Sequence, residues 1–315
     1  MRRLVISALL AALATALVPS AAGAARIGIS DQQASTFVNP LYAPLKLKLA
    51  RYVAPYDVVF DPTQAQRMAA WYQGAIFANQ RMLVSFEHSR TPGKEQVLPT
   101  KAQYTIAMKA FKATFPRIKE INTWNEVNRC QVGSRTEGQP KGICKGTRGA
   151  KLLNTYFGVT RSVFRGSRII PLNVLDERNP APALKYVRAF KRVAKSTPKI
   201  WGIHNYSDTN RSSQSRTKRI IKAIGSKGEI WLLETGGQLK LGRSTPGEAK
   251  AAEALKCMFK IAKNKRIKRA YIYQFNGAAP DASFDAGLIN FDGATTRLGY
   301  DVVVKRTSAG KSVCK

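Results

Sequence analysis

Glu126 and Glu234 close two apolar, β-rich runs. The first follows Ile121-Asn122-Thr123-Trp124-Asn125 and the second follows Ile230-Trp231-Leu232-Leu233. A carboxylate at a half-buried position costs desolvation unless it is hydrogen-bonded or used. The chain has 19 acidic against 52 basic residues, so a structural ion pair with an arginine is one reading of each glutamate. The other is that the two act together at a glycosidic carbon. At a separation of about 5–5.5 Å one carboxylate attacks and the other protonates the leaving oxygen, with retention; at ~6.5–9.5 Å a water fits between them and the outcome inverts. The charge on one would push up the pKa of the other and keep it protonated near neutrality.

Such a pair has to be held by rigid elements, and the sequence offers eight. Short β-rich runs at 26–30, 52–60, 82–86, 120–126, 168–174, 200–206, 230–234 and 269–275 alternate with helical stretches. Pro55 cannot donate to a ladder, so the second strand is expected over Tyr56 to Phe60. Tyr104, Met108, Phe111 and Phe115 recur at helical spacing, as do Leu184, Val187, Phe190 and Val193, and again Leu255, Met258, Phe259 and Ala262. Repeated strand-then-helix units with short joints predict parallel pairing. Eight of them predict an α/β chain folded as one (β/α)8 TIM barrel over 25–315, with a doubly wound open sheet as the alternative.

In such a barrel chemistry sits at the C-terminal ends of the strands. Both histidines of the chain, His88 and His204, fall there, with Asn125, Tyr206 and Gln274 and further candidates from Asp31 to Asn276. Trp124, Trp201 and Trp231 lie within strands and are expected in the core.

Asn125-Glu126 ending the fourth strand, His204-Asn205-Tyr206 ending the sixth and Glu234 ending the seventh together resemble the retaining glycoside hydrolases of clan A. The resemblance implies a (β/α)8 barrel acting on a β-linked poly- or oligosaccharide; with two histidines and no CxxC or HExxH, no metal or cofactor is expected. It implies Glu126 as acid/base, Glu234 as nucleophile, Asn125 bonding the sugar 2-hydroxyl, Tyr206 bonding Glu234, and His204 lining the cleft. The segment 284–303 is similar to the closing segment of these enzymes. Two departures stand out. The eighth strand reads Tyr273-Gln274-Phe275 where the clan often has tryptophan, so Phe275 or Tyr273 is expected as the sugar platform. An arginine near the nucleophile has no clear counterpart, since Arg51 is expected ahead of the second strand and Arg90 beyond the third.

The chain opens with Arg2 and Arg3, an apolar run from Leu4 to Val18, and Ala22-Gly23-Ala24. This is the build of a secretory signal over 1–24, with an uncleaved membrane anchor as the alternative that the short apolar run disfavours, and the expectation is a secreted, wall-associated monomer, free of the membrane once processed. Four cysteines in an exported chain favour disulfides over a metal site. Of three possible pairings, Cys130 with Cys144 and Cys257 with Cys314 is expected, the first closing a ~15-residue loop.

The net charge is +33, or +31 without Arg2 and Arg3. Such a surface should adsorb polyanions. Because the basic residues are dispersed and not interleaved with stacking aromatics, nucleic acid is disfavoured as a partner. A non-catalytic barrel holding an anionic cell-wall polymer or glycan is the alternative function. Lys311 and Ser312 after Gly310 do not make a phosphate loop, no GxSxG is present, and Asn205 and Asn210 match glycosylation acceptors by pattern alone.

Overall fold

A computed structural model of the chain describes residues 25–130, 138–310 and 313–315. The expected signal segment lies outside them. The strands in chain order are β1 (Arg26–Ser30), β2 (Leu49–Pro55), β3 (Arg81–Glu87), β4 (Glu120–Asn122), β5 (Arg168–Ile170), β6 (Asn173–Leu175), β7 (Ile200–His204), β8 (Glu229–Thr235), β9 (Lys240–Leu241), β10 (Ile267–Ile272) and β11 (Phe284–Asp285). The outer helices used below are α1 (Pro62–Phe77), α2 (Lys101–Thr114), α3 (Lys141–Cys144), α4 (Gly146–Val163), α5 (Ala181–Val193), α6 (Tyr206–Thr209), α7 (Ser215–Ile224), α8 (Glu248–Ile261) and α9 (Leu298–Val304).

Nine strands pair in parallel in the order β5-β4-β3-β2-β1-β10-β8-β7-β6. The two ends of that order are halves of one strand, interrupted at Pro171, which has no N–H to give a ladder. The first half pairs with β4 and the second with β7. The Leu172 carbonyl accepts from Gly202 N at 3.1 Å and the Ile170 carbonyl from Thr123 N at 2.8 Å. The ring therefore closes as the (β/α)8 barrel the sequence predicts. β9 and β11 form a small antiparallel ribbon outside it.

Two strand assignments need correction. The second strand is Leu49–Pro55, and Val58–Phe60 is a 3-10 turn. Pro55 is tolerated because it is the last ladder residue, opposite Glu87, and Tyr56 N takes over by donating to the Glu87 carbonyl at 2.9 Å. The fourth strand stops at Asn122, so Glu126 stands in the bend beyond it.

The core divides in two. Leu49, Leu83, Ile170, Ile200, Trp231, Leu233 and Tyr271 fill the barrel lumen, while a larger cluster packs helices onto the outer face of the strands. Trp124, Trp201 and Trp231 are all buried, as expected. Gly202 is required where it stands, since a Cβ there would meet Asn173 Cβ at 2.6 Å. Asp31 ties β1 to the segment after β10: its Oδ2 accepts from Phe275 N at 3.0 Å and Asn276 N at 2.9 Å. Both expected disulfides form, Cys130–Cys144 and Cys257–Cys314. Among the described residues no helix is long and apolar enough to cross a membrane.

Candidate active site

The bend after β4 places Glu126 by backbone bonds to its neighbours. Asn125 N donates to the Phe86 carbonyl at 2.7 Å and Val127 N to the Asn173 carbonyl at 3.1 Å. Asn128 exchanges two bonds with Leu175, through Nδ2 at 2.9 Å and Oδ1 at 2.8 Å. Glu126 N donates to Asn173 Oδ1 at 2.5 Å. Glu126 itself sits at φ +42°, a conformation costing about 1–3 kcal/mol for a residue with a Cβ and typical of functional positions. The surrounding bonds hold it there.

Across the mouth, β8 delivers Glu234. Arg51 Nη1 donates to Glu234 Oε1 at 2.5 Å, while Tyr206 OH donates to Oε2 at 3.4 Å. His204 lies between the two carboxylates, its Nδ1 2.9 Å from Glu126 Oε1 and 3.6 Å from Glu234 Oε2. One ligating atom of each of these three residues lies within 4.8 Å of the other two. This approach is nearer to the ~5–5.5 Å carboxyl spacing of a retaining pair than to the ~6.5–9.5 Å of an inverting one.

The arginine expected to be missing is present. With β2 at Leu49–Pro55, Arg51 is a strand residue whose side chain points into the lumen, fully buried. Its Nε donates to Ser85 Oγ at 2.9 Å, Nη1 also to Ser30 Oγ at 3.0 Å, and Nη2 to Asn125 Oδ1 at 2.8 Å. One guanidinium thus spans β1, β3, Asn125 and Glu234. Asn173 makes a second brace: its Nδ2 donates to Asn122 Oδ1 and Asn125 Oδ1, each at 2.8 Å. With Oδ1 of Asn125 occupied twice by the protein, its Nδ2 is the atom left to meet a ligand.

The electrostatics of Glu126 differ from the expected elevation by its partner. Burial works to raise its pKa, but the hydrogen bond and charge of His204, with the charge and hydrogen bond of Arg129, outweigh it and hold the carboxyl at about 2. Arg129 Nη1 is 3.2 Å from Glu126 Oε2. Tyr206 keeps its proton, since burial and then the charge of Glu234 push its pKa well up; it is a donor to Glu234 and never a competing anion.

Other expected site residues are distributed differently. His88 follows β3 but faces Gln139, 3.5 Å away, whose Oε1 also accepts from Trp124 Nε1 at 2.7 Å. Phe275 is corrected as a sugar platform: it is 0% exposed and packs edge-on against Tyr42 at 5.6 Å. Tyr273 is the partly exposed ring of that segment, tilted against Phe284. The Gln274 side chain is partly exposed beside it. Asn205 is 0% exposed and Asn210 Nδ2 is bonded to the Gly236 carbonyl, so neither acceptor pattern is available for glycosylation.

Arg51, Asn173 and Arg129 were missed by sequence reasoning. Arg51 and Asn173 carried a signal: each is a polar residue within a strand of a parallel sheet, buried on both faces, where an unpaired group is costly. Arg129 had none, because its role depends on the turn in which its N–H donates to the Glu126 carbonyl at 2.9 Å. Glu126, His204 and Glu234 are also a set that could hold a divalent cation. Each carboxylate already faces a cation of the protein, Arg51 or Arg129, which a metal would have to displace.

No protein-family model matches the chain, and no curated protein matches it in sequence. Solved structures do. A fungal β-1,4-galactanase superimposes with TM-score 0.63 at 12% identity, covering 90% of this chain and 100% of that one. An intracellular xylanase from Thermoanaerobacterium saccharolyticum gives TM-score 0.58 at 15% identity over 89% of this chain and 95% of that one. A family 39 glycoside hydrolase from the gut symbiont Bacteroides cellulosilyticus gives TM-score 0.60 at 14% identity over 90% of this chain, which spans only 63% of that longer protein. At these identities the likeness is one of fold: the chain has the (β/α)8 barrel on which these glycoside hydrolases are built.

Proposed function

We propose that the protein is an exported, monomeric glycoside hydrolase that cleaves a β-linked poly- or oligosaccharide with retention. The observation that carries this reading is the approach of the Glu126 and Glu234 carboxylates over one mouth, with His204 between them and separate arginines behind them. In the reaction Glu234 attacks the anomeric carbon as Glu126 gives a proton to the departing oxygen. The resulting ester is then hydrolysed by a water from which Glu126 takes a proton. Arg51 and Tyr206 orient Glu234, Asn125 Nδ2 meets the sugar beside the scissile bond, and Tyr273 offers the stacking face. His204 Nδ1 lies 2.9 Å from Glu126 Oε1, within reach to exchange a proton with the carboxyl that serves the leaving group.

The test is a panel of neutral and acidic β-glycans, with the first-formed anomer read by NMR. The β-anomer should appear first, and a 2-deoxy-2-fluoro glycoside should leave one sugar mass on the peptide holding Glu234. An α-anomer as first product would exclude the retaining assignment.

Adsorption to an anionic polymer is favoured as an accompanying property by a separate observation. A groove of about 910 Å³ between α2 and α4 is lined by Lys101, Lys109, Lys112 and Lys195 with no acid. A smaller one against α5 carries Lys185, Arg188, Arg192 and Arg219. Neither includes the carboxylate pair. Binding to a phosphate- or carboxylate-bearing wall polymer should be lost between about 0.1 M and about 1 M salt, as the screening length falls from ~10 Å to ~3 Å. Lys109→Glu with Lys195→Glu should weaken it without changing turnover of a short substrate. Salt-insensitive binding would exclude this role for the surface.

A further inference from the structure

Tyr206 is the donor for the Glu234 oxygen that Arg51 does not hold, and it stands on a helix too short to fix its own position. α6 has four residues, Tyr206–Thr209, and the first N–H groups of a helix have no partner within it. Asparagine is favoured at the position before a helix, yet Asn205, which occupies it here, makes no capping bond. The cap comes instead from a neighbouring strand end. Asp176, the residue after β6, accepts from Ser207 N through Oδ1 and from Asp208 N through Oδ2, each at 2.7 Å. Its own N–H donates to the His204 carbonyl at 2.9 Å. One residue thus meets the chain on both sides of Tyr206.

We propose that Asp176 is a positioning residue, which sets Tyr206 against Glu234 by capping α6 from outside its own segment. The proposal rests on the glycosidase reading above and adds to that site a residue that bonds neither of its two glutamates. Asp176 is 0% exposed. A carboxylate is costly to bury unless it is bonded, and both oxygens of this one go to the start of α6. Bonds to an ionised acceptor are the strong ones, so the helix that carries Tyr206 is held stiffly. That stiffness matters at the hydroxyl. It reaches Glu234 Oε2 at 3.4 Å, close to the outer limit of a hydrogen bond, and a retreat of α6 by about 0.2–0.3 Å would break the contact. Glu234 would then be oriented by Arg51 alone.

The charges facing Asp176 are Asp208 and Arg216. Asp208 accepts from Thr217 N at 2.6 Å, from Arg216 N at 3.2 Å and from Arg216 Nη1 at 3.3 Å, so α6 is tied to α7 on one side as it is tied to β6 on the other. Burial pushes the Asp176 carboxyl up to about 7 against the pull of its two N–H groups, with Asp208 adding to the rise and Arg216 opposing it. Once ionised it accepts at both oxygens. An asparagine offers one acceptor and turns an amide N–H toward the other backbone N–H. Asp176→Asn therefore keeps the size of the side chain and removes half of the cap, while the backbone bond to His204 stays.

The experiment is a double-variant cycle at about pH 8, above the value for Asp176, with nitrophenyl β-glycosides of the panel sugars, whose departure needs no proton. Tyr206→Phe should lower kcat/KM by about 10- to 100-fold, the range of one hydrogen bond to a charged group, and Asp176→Asn by about 10-fold. Because the two act through one bond, Asp176→Asn/Tyr206→Phe should stay within about threefold of Tyr206→Phe alone. A residue that merely supports the fold would instead multiply the two losses. Isotope-labelled tyrosine gives a readout that needs no turnover: the Tyr206 Cζ resonance should move when Glu234→Gln changes its acceptor, and should not move when the same change is made in Asp176→Asn. If Asp176→Asn does not fold, Asp176→Ser, whose hydroxyl can accept one N–H, carries both measurements. Multiplied losses, or a Tyr206 resonance that responds to Glu234→Gln equally with and without the Asp176 carboxylate, would overturn the proposal. If no glycoside is cleaved but the resonance behaves as expected, it is the hydrolase reading that fails while the positioning of Tyr206 by Asp176 stands.

Discussion

Glu234→Gln should lower turnover of any cleaved glycan by about 10⁴- to 10⁶-fold, the scale seen when a covalent nucleophile is removed from a site whose parts act as a unit. Glutamine keeps the volume and can still bond Tyr206, so the loss would come from the missing anion and not from a cavity. Glu126→Gln should behave differently. Losing general acid–base help costs about 10²- to 10⁴-fold on a sugar leaving group, but an aryl glycoside with an acidic phenol needs no proton to depart. For that substrate Glu126→Gln should give a burst followed by slow release, because deglycosylation still lacks its base. Azide separates the roles: Glu234→Ala should yield the inverted glycosyl azide in one displacement, and Glu126→Ala the retained azide after two. Full activity in either glutamine variant, or the same azide anomer from both alanine variants, would exclude the assignment.

The roles of these residues were legible to different degrees for physical reasons. The barrel was readable because strand and helix alternate with few long joints, and because the helix stripes are periodic. The boundary of β2 was not. Pro55 points to a strand beginning only at Tyr56, whereas in a parallel pair it can occupy the last ladder position, and that shift carries Arg51 from a loop into the lumen. Glu126 was found by its residue type and its place after an apolar run, yet its ionisation depends on His204 and Arg129, which approach it only after the turn and the seventh strand are in place. Phe275 was misjudged because a β-run does not say which of two adjacent aromatics faces out. The last strand ends at Ile272, so simple alternation does not run through to Phe275.

At the opposite end of the barrel, Glu120→Gln should destabilise the fold by about 3–5 kcal/mol while leaving the mouth intact. Glu120 is fully buried at the first position of β4. Arg269 holds both of its oxygens, with Nη2 2.9 Å from Oε1, and Arg81 Nε meets Oε1 at 2.5 Å. Arg269 also donates to Tyr271 OH at 3.1 Å and lies 3.9 Å over the Trp231 ring, with Arg168 4.8 Å from the same ring. The barrel floor therefore holds Arg269 and Arg81 on Glu120 while Arg168 pairs with Glu229 at 2.7 Å, and neutralising Glu120 strands the buried Arg269 guanidinium, the costly way to break such a pair. Replacing both partners by apolar residues of similar size, Glu120→Leu with Arg269→Met, should recover most of the loss, since an intact buried pair contributes little net stability over a packed apolar substitute. Urea unfolding followed by tryptophan fluorescence measures both. Because the floor residues bond none of the mouth residues, kcat of the folded fraction should stay within about threefold of wild type, a difference under 1 kcal/mol. A loss below about 1 kcal/mol in Glu120→Gln, or a double variant no more stable than the single one, would exclude the floor cluster as an electrostatic keystone.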